Sequence, residues 1–227
     1  IKGDATRQFG FLTITEQTIY TLDSQNFALF TSFSKDITDA DYVSLGLRYD
    51  NFKKQIDRRK TSPLPPLLGT TDLLDETNNF DSLSPSVNWE RKILEGLTGN
   101  LRATYSEKPG GFSAYSLDPS QIRFSEEETL SYEIGLLFAP TESWGLNLTA
   151  YLNDIKNYQF ELPDPSGLTT DYYVFNADEV TAKGIEIEGF VKLLQDFLLS
   201  CMVNLNFLIN YLYQLKIFHS QQFLFQN

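Results

Sequence analysis

A chain of 227 residues with 30 acidic and 18 basic side chains carries a net charge of −12, and with a pI near 4.5 it lacks the basic footprint of a nucleic-acid binder. A single cysteine, Cys201, leaves no internal disulfide, and the first 190 residues hold no apolar run of about twenty that would make a membrane helix. The 18 Phe and 12 Tyr suit strands, and equally the aromatic girdles of a membrane barrel.

Ile1-Lys2-Gly3-Asp4 is no signal peptide, and the only methionine is Met202, so the chain is expected to be a piece of a longer protein. The first strand is predicted within 5–15, carrying Phe9, Phe11 and Leu12 with blurred alternation. The second spans 25–36, with Phe27, Leu29 and Phe33 on one face. Turn formers at 36–41 (Asp36, Thr38, Asp39, Asp41) lead to a third strand at 42–53, where Val43, Leu45, Leu47 and Tyr49 alternate with Ser44, Gly46, Arg48 and Asp50. Pro63, Pro65, Pro66 and Gly69 then predict a long loop over 54–80.

Further strands are predicted at 81–91, 99–107, 128–139, 144–160 and 173–193. In 99–107, Leu101, Ala103 and Tyr105 alternate with Asn100, Arg102 and Thr104; in 128–139, Leu130, Tyr132, Ile134 and Leu136 alternate with Ser131, Glu133 and Gly135. The connections at 92–98, 140–143 and 194–196 are short, whereas 108–127 and 161–172 are longer. Alternating faces suit either a sheet with lipid on one side and water on the other, or a soluble β-sandwich. Long connections gathered at one end and tight turns at the other favour the membrane barrel.

The order and spacing of several segments carry a resemblance. Leu83-Ser84-Pro85-Ser86-Val87-Asn88-Trp89 leads into Leu97-Thr98-Gly99-Asn100-Leu101-Arg102-Ala103-Thr104-Tyr105 and Lys108-Pro109-Gly110-Gly111-Phe112. Phe124-Ser125-Glu126-Glu127-Glu128-Thr129-Leu130-Ser131-Tyr132-Glu133-Ile134-Gly135-Leu136 follows, and then Leu146-Asn147-Leu148-Thr149-Ala150-Tyr151-Leu152-Asn153-Asp154-Ile155 and Ala182-Lys183-Gly184-Ile185-Glu186-Ile187-Glu188. This succession resembles the C-terminal half of the β-barrel of TonB-dependent outer-membrane receptors, well over 80–193 and loosely over 1–80. The resemblance implies an all-β fold, an antiparallel transmembrane β-barrel fragment of about nine strands from a 22-stranded barrel. It further implies a plug domain, an energising TonB complex reached through a short box before that plug, outer-membrane lipid as surroundings, and a scarce nutrient such as a ferric siderophore as ligand. Neither plug nor box is recognised in this chain, so the fragment is not expected to transport alone. A passive outer-membrane channel and a soluble secreted β-sandwich binding module are the rivals.

After Asp196 charge almost vanishes and alternation is lost, and Cys201, Met202 and the only histidine, His219, all lie there. The division expected is a partial barrel at 1–193 and an atypical tail at 194–227, irregular or helical: either a frameshift begins near 195–201, or a poorly patterned strand is followed by an amphipathic or short apolar helix.

No catalytic set emerges, and neither enzyme chemistry nor a cofactor is expected. Glu126, Glu127 and Glu128 read as a charged loop lip rather than a cation site, and Glu186 and Glu188 read as lining a watery lumen. Lys108-Pro109-Gly110-Gly111 lacks the spacing of a phosphate loop, His219 and Cys201 are single, and Asn147-Leu148-Thr149 is ordinary strand rather than a glycosylation sequon. Ligand contact, which the resemblance assigns to loops and lumen-facing side chains, is expected of the loops 54–80 and 108–127, and in particular of Phe112, Tyr115 and Arg123.

Overall fold

A computed structural model describes residues 2–9, 12–61, 72–116, 119–163, 172–194 and 197–209. In chain order the elements are β1 (Lys2–Phe9), β2 (Leu12–Asp36), β3 (Asp41–Thr61), β4 (Asp72–Leu94), β5 (Leu97–Lys108), β6 (Gly111–Phe112), α1 (Pro119–Ile122), β7 (Arg123–Phe124), β8 (Glu127–Thr141), β9 (Trp144–Pro163), β10 (Tyr172–Leu194) and β11 (Phe197–Ile209). Nine strands form one sheet in the order β1-β2-β3-β4-β5-β8-β9-β10-β11, and β6 pairs with β7 alone. Every neighbouring pair is antiparallel. The sheet is open among the described residues, with β1 and β11 at its edges.

Period-two alternation sorts the side chains by register. One row of Cα partners runs Val43, Trp89, Leu101, Ile134, Ala150 and Ile185. The next position along each strand gives Ser44, Asn88, Arg102, Glu133, Tyr151 and Gly184. The first row faces one side of the sheet and the second faces the other. Among the described residues no second layer covers the apolar face: Leu101 is 43%, Ile134 56% and Ile187 39% exposed. A soluble sandwich would bury this face, so the sandwich alternative is set aside. On β8 the apolar run from Leu130 to Phe138 covers roughly 26 Å along the strand at about 3.3 Å per residue. Tilted as barrel strands are, that is about 20 Å of height, close to the apolar band of a membrane barrel. Aromatic residues mark both borders of the outward face, with Tyr49, Tyr105 and Phe27 at one and Trp89, Phe138 and Trp144 at the other. Phe138 and Trp144 meet edge to face, their centroids 5.4 Å apart.

The tight turns lie at one end of the sheet. At 37–40 the Thr38 hydroxyl accepts from the Ala40 and Asp41 amides (3.2 and 3.0 Å) and donates to the Asp41 carboxylate (2.7 Å). Between β4 and β5 the turn holds only Glu95 and Gly96. Gly96 has φ +73°, and a Cβ there would lie 2.5 Å from Pro140 Cα, so glycine is required on both counts.

Several expectations need correcting. Most of the loop predicted at 54–80 is strand: β3 continues to Thr61 and β4 begins at Asp72, leaving Pro63, Pro65, Pro66 and Gly69 outside the described residues. Charges on both faces of 53–60 hid the alternation there. The strand predicted at 5–15 divides into β1 and the start of β2, which runs unbroken to Asp36. Pro85 lies inside β4, where the ladder to β5 stops at Ser86↔Thr104, as suits a residue with no N–H to donate. Over Phe197–Ile209 the tail is not irregular or helical but strand β11, as the alternative of a poorly patterned strand has it, and it begins inside the stretch where a frame break is expected. Val203 and Leu205 are register partners of Ile187 and Ile185, and Asn204 and Asn206 of Glu186 and Gly184, so alternation persists there. Residues 210–227, with His219, lie outside the described residues.

Candidate ligand-facing site

Polarity inverts along the tall strands. On β3 the outward positions change from Val43, Leu45, Leu47 and Tyr49 to Asn51, Lys53, Gln55 and Asp57. On the inward face the change is opposite, from Ser44, Gly46 and Arg48 to a set that includes Phe52 and Ile56. Leu22 on β2 is the register partner of Ile56, and Phe80 on β4 of Phe52. At about 3.3 Å per residue, the 21-residue β3 is roughly 70 Å long. A tilted membrane strand needs only about 9–11 residues. The loop half of β3 therefore stands beyond the apolar band, wet outside and partly greasy inside, and that inner face needs a cover.

The segment at 109–126 supplies it. The β5–β8 hairpin is low: its ladder ends at Lys108↔Glu127, while β3–β4 on one side reaches Lys60↔Asp72 and β9–β10 on the other reaches Pro163↔Tyr172. The 109–126 segment, with β6, α1 and β7, folds inward and joins both tall hairpins. Phe112, Ala114 and Ile122 pack with Ile56, and Tyr20, Leu22 and Leu74 surround them. On the β3–β4 side, Lys54 Nζ donates to Gly110 O (2.6 Å), Arg58 donates to Ala114 O (3.2 Å) and Ser116 O, and Arg123 pairs with Glu76 (2.7 Å). On the β9–β10 side, Gln159 Nε2 donates to Pro109 O (3.1 Å) and Ser125 O (2.9 Å), Asn176 Nδ2 donates to Ser125 O (3.1 Å), and the Val174 amide donates to Ser113 Oγ (3.0 Å). Gly110 permits the close passage: a Cβ there would sit 2.4 Å from Phe124 O.

The β9–β10 hairpin carries a backbone irregularity. Asn157 has φ +53°, and the register skips Asn157 and Asp178 just beyond the last β8–β9 pair, Glu128↔Lys156. The register is the same on either side, so no residue is inserted, and the local departure is the left-handed backbone of Asn157.

Of the residues expected to touch ligand, the structure brings Phe112, Tyr115 and Arg123 onto this one segment but differentiates them. Phe112 is 8% exposed and belongs to the segment's own core. Tyr115 is half-buried, its hydroxyl 3.3 Å from that of Tyr20 and their rings edge to face at 5.4 Å. That hydrogen bond raises the Tyr20 pKa. The Arg123 side chain remains 65% exposed, and the Glu76 carboxylate beside it raises its pKa still further. The three glutamates do not converge: Glu127 takes the Gln159 amide at 2.7 Å, and Glu128 stands on the opposite face. Among the described residues no group of three or more His, Cys, Asp or Glu is placed to hold a metal ion.

The inward cations of β3 were not apparent from sequence. Arg58 and Lys60 are fully buried, and Lys54 is half-buried. Burial, with a smaller push from Lys108, holds the Lys54 pKa below the usual lysine value. Lower on the same face, Arg48 makes a two-pronged pair with Asp50 (2.6 and 2.7 Å) beside Phe30, which is 75% exposed. Spacing two residues apart on one strand was the available signal, once 54–60 is recognised as strand.

A family model for the TonB dependent receptor-like beta-barrel matches residues 3–223. Among solved structures, the ferric yersiniabactin uptake receptor FyuA from Yersinia pestis aligns with TM-score 0.68 at 16% identity, over 86% of this chain and 28% of its own. The ferric-catecholate import receptor Fiu from E. coli K12 aligns with TM-score 0.62 at 13% identity, over 87% of this chain and 29% of its own. The copper transporter OprC aligns with TM-score 0.63 at 12% identity, over 91% of this chain and 36% of its own. At such identities these likenesses speak for the fold, and the chain spans about a third of each relative's length.

Proposed function

The chain belongs to the TonB-dependent receptor β-barrel family, and from that premise we propose that it forms part of the wall of an outer-membrane receptor that imports a scarce nutrient, a ferric siderophore, unchanged. The apolar row through Leu101, Ile134 and Ile185 lies against outer-membrane lipid, and the polar row through Arg102 and Glu133 lines the aqueous interior. Strands outside the described sheet close the barrel, because an open edge in hydrocarbon leaves N–H and C=O groups unpaired at several kcal/mol each. A plug within that barrel and the TonB complex supply the energy coupling. The protein carries its ligand across without making or breaking bonds in it, so it is not an enzyme.

The observation that carries this reading is the inversion of polarity at Tyr49 and Asn51, together with the inward-folded segment at 109–126. The inversion fits a strand that leaves the membrane to build an external vestibule. The exposed guanidinium of Arg123 is the group on the segment best suited to an anionic chelate. The ferric-siderophore assignment draws on the named ligands of FyuA and Fiu. Uptake of radioactive iron as a ferric siderophore, measured in cells with the full-length gene intact or deleted and with TonB present or absent, tests it. Uptake lost on deletion of either gene supports energised import. Uptake that persists without TonB would favour the passive channel.

A further inference from the structure

Arg58 has no place in ligand contact, since its side chain is wholly enclosed. It stands on the inward face of β3, opposite Tyr20 and Leu74 in register. One terminal nitrogen donates to Ala114 O and Ser116 O, the carbonyls on either side of Tyr115, and the other donates to the Asp72 carboxylate. Its Nε is buried with no partner among the described residues. Enclosing a guanidinium is costly unless its charge is met. Here the two terminal nitrogens do that work, and what they grip is the backbone of the inward-folded segment.

We propose that Arg58 is the positioning residue that fixes the 109–126 segment as a rigid panel of the vestibule wall, with Asp72 orienting its guanidinium and Tyr115 held against Tyr20 between the two gripped carbonyls. The segment fills the notch left where the low β5–β8 hairpin stands between two tall hairpins. Its hydrogen bonds reach β3 and β4 on one side and β9 and β10 on the other, which no lid hinged at one edge would make. Lys54 is a second pin on the same strand face, four residues before Arg58, donating to the carbonyl where the segment leaves β5. Arginine suits the main pin because its planar fork reaches two carbonyls and a carboxylate together, whereas a lysine ammonium is a single point charge on a flexible stem.

This rests on the vestibule reading, but its test does not depend on transport. In the full-length protein on intact cells, with native cysteines replaced, the reporter Ala114→Cys is reacted with a membrane-impermeant maleimide, and Thr77→Cys on the outer side of β4 is the exposed control. The parent panel is expected to label at least about tenfold more slowly than Thr77→Cys, because Ala114 is 8% exposed. Arg58→Gln is expected to raise Ala114→Cys labelling on the order of tenfold, with Arg58→Lys intermediate and Thr77→Cys unchanged. Barrel assembly is followed in parallel by resistance to SDS before heating. Labelling of Ala114→Cys within twofold of its parent value in assembled Arg58→Gln overturns the proposal, as does parent labelling equal to that of Thr77→Cys. Loss of assembly in both Arg58→Gln and Arg58→Lys overturns it too, since Arg58 would then serve the barrel rather than the panel. If labelling behaves as expected while siderophore uptake fails, the panel stands and only the import reading falls.

Discussion

Replacing Ile134 with arginine puts a charge in the middle of the apolar run of β8, four residues from each of Leu130 and Phe138. Ile134 is 56% exposed and its register neighbours Leu101 and Ala150 are apolar, so no described neighbour in its row offers the guanidinium a partner. At the midplane of a membrane barrel such a change costs about 2–4 kcal/mol, or roughly 30-fold to 700-fold in the folded-to-unfolded ratio at about 1.4 kcal/mol per factor of ten. Ser131→Arg, on the opposite face of the same strand, is expected to cost no more than about 0.5 kcal/mol. Urea unfolding of the full-length protein in phospholipid vesicles, followed by tryptophan fluorescence, measures both. If Ile134→Arg unfolds within about 0.5 kcal/mol of the parent, this face is in water and the membrane assignment is wrong.

Other expectations concern the turns and hinges. Gly96→Ala meets both a positive φ and the Pro140 backbone and is expected to lose more than about 1 kcal/mol in the same assay; a neutral result would mean the turn relaxes freely. At Asn157, φ +53° is tolerated by asparagine and free for glycine, so Asn157→Gly is expected to be near neutral and Asn157→Val to cost about 1–2 kcal/mol, with equal midpoints telling against a left-handed backbone there. The Asp41 carboxyl is held below the usual carboxylate range, first by the Thr38 hydroxyl and then by Trp89 and Arg91. A depressed carboxyl pKa stabilises the fold above the unfolded value near 4 and loses that stabilisation as pH falls through the folded value. An acid titration of unfolding midpoints should therefore drop below pH 4 in the parent, and less so in Asp41→Asn.

The strands within the band were legible because each carries apolar residues on one face and polar ones on the other, as in Leu101/Arg102 and Ile134/Glu133. Beyond the band that contrast disappears. Lys53, Lys54, Arg58 and Arg59 put charge on both faces of β3, and the sequence there looks like a polar loop although its ladder is unbroken. The fate of Phe112 was hidden for a related reason: an aromatic residue between glycine and serine has no periodic partner, and only the tertiary fold supplies Ile56. The family was legible from the order of weak motifs, none of which identifies it alone. The lapse of charge after Asp196 suggested a lost strand, yet backbone pairing with β10 continues to Thr181↔Ile209. We propose that any break in reading frame lies beyond Ile209, and the other two frames of the DNA encoding 195–209 should hold no alternating strand.

The membrane assignment depends most directly on which face of the sheet meets hydrocarbon. Nitroxide labels placed singly at each position from 130 to 138 of the full-length protein in a bilayer, probed with oxygen and with a water-soluble nickel chelate, read this out residue by residue. Oxygen accessibility is expected to peak at 130, 132, 134, 136 and 138 and nickel accessibility at the positions between. Nickel access at 132, 134 and 136 equal to that at 131, 133 and 135 would contradict it.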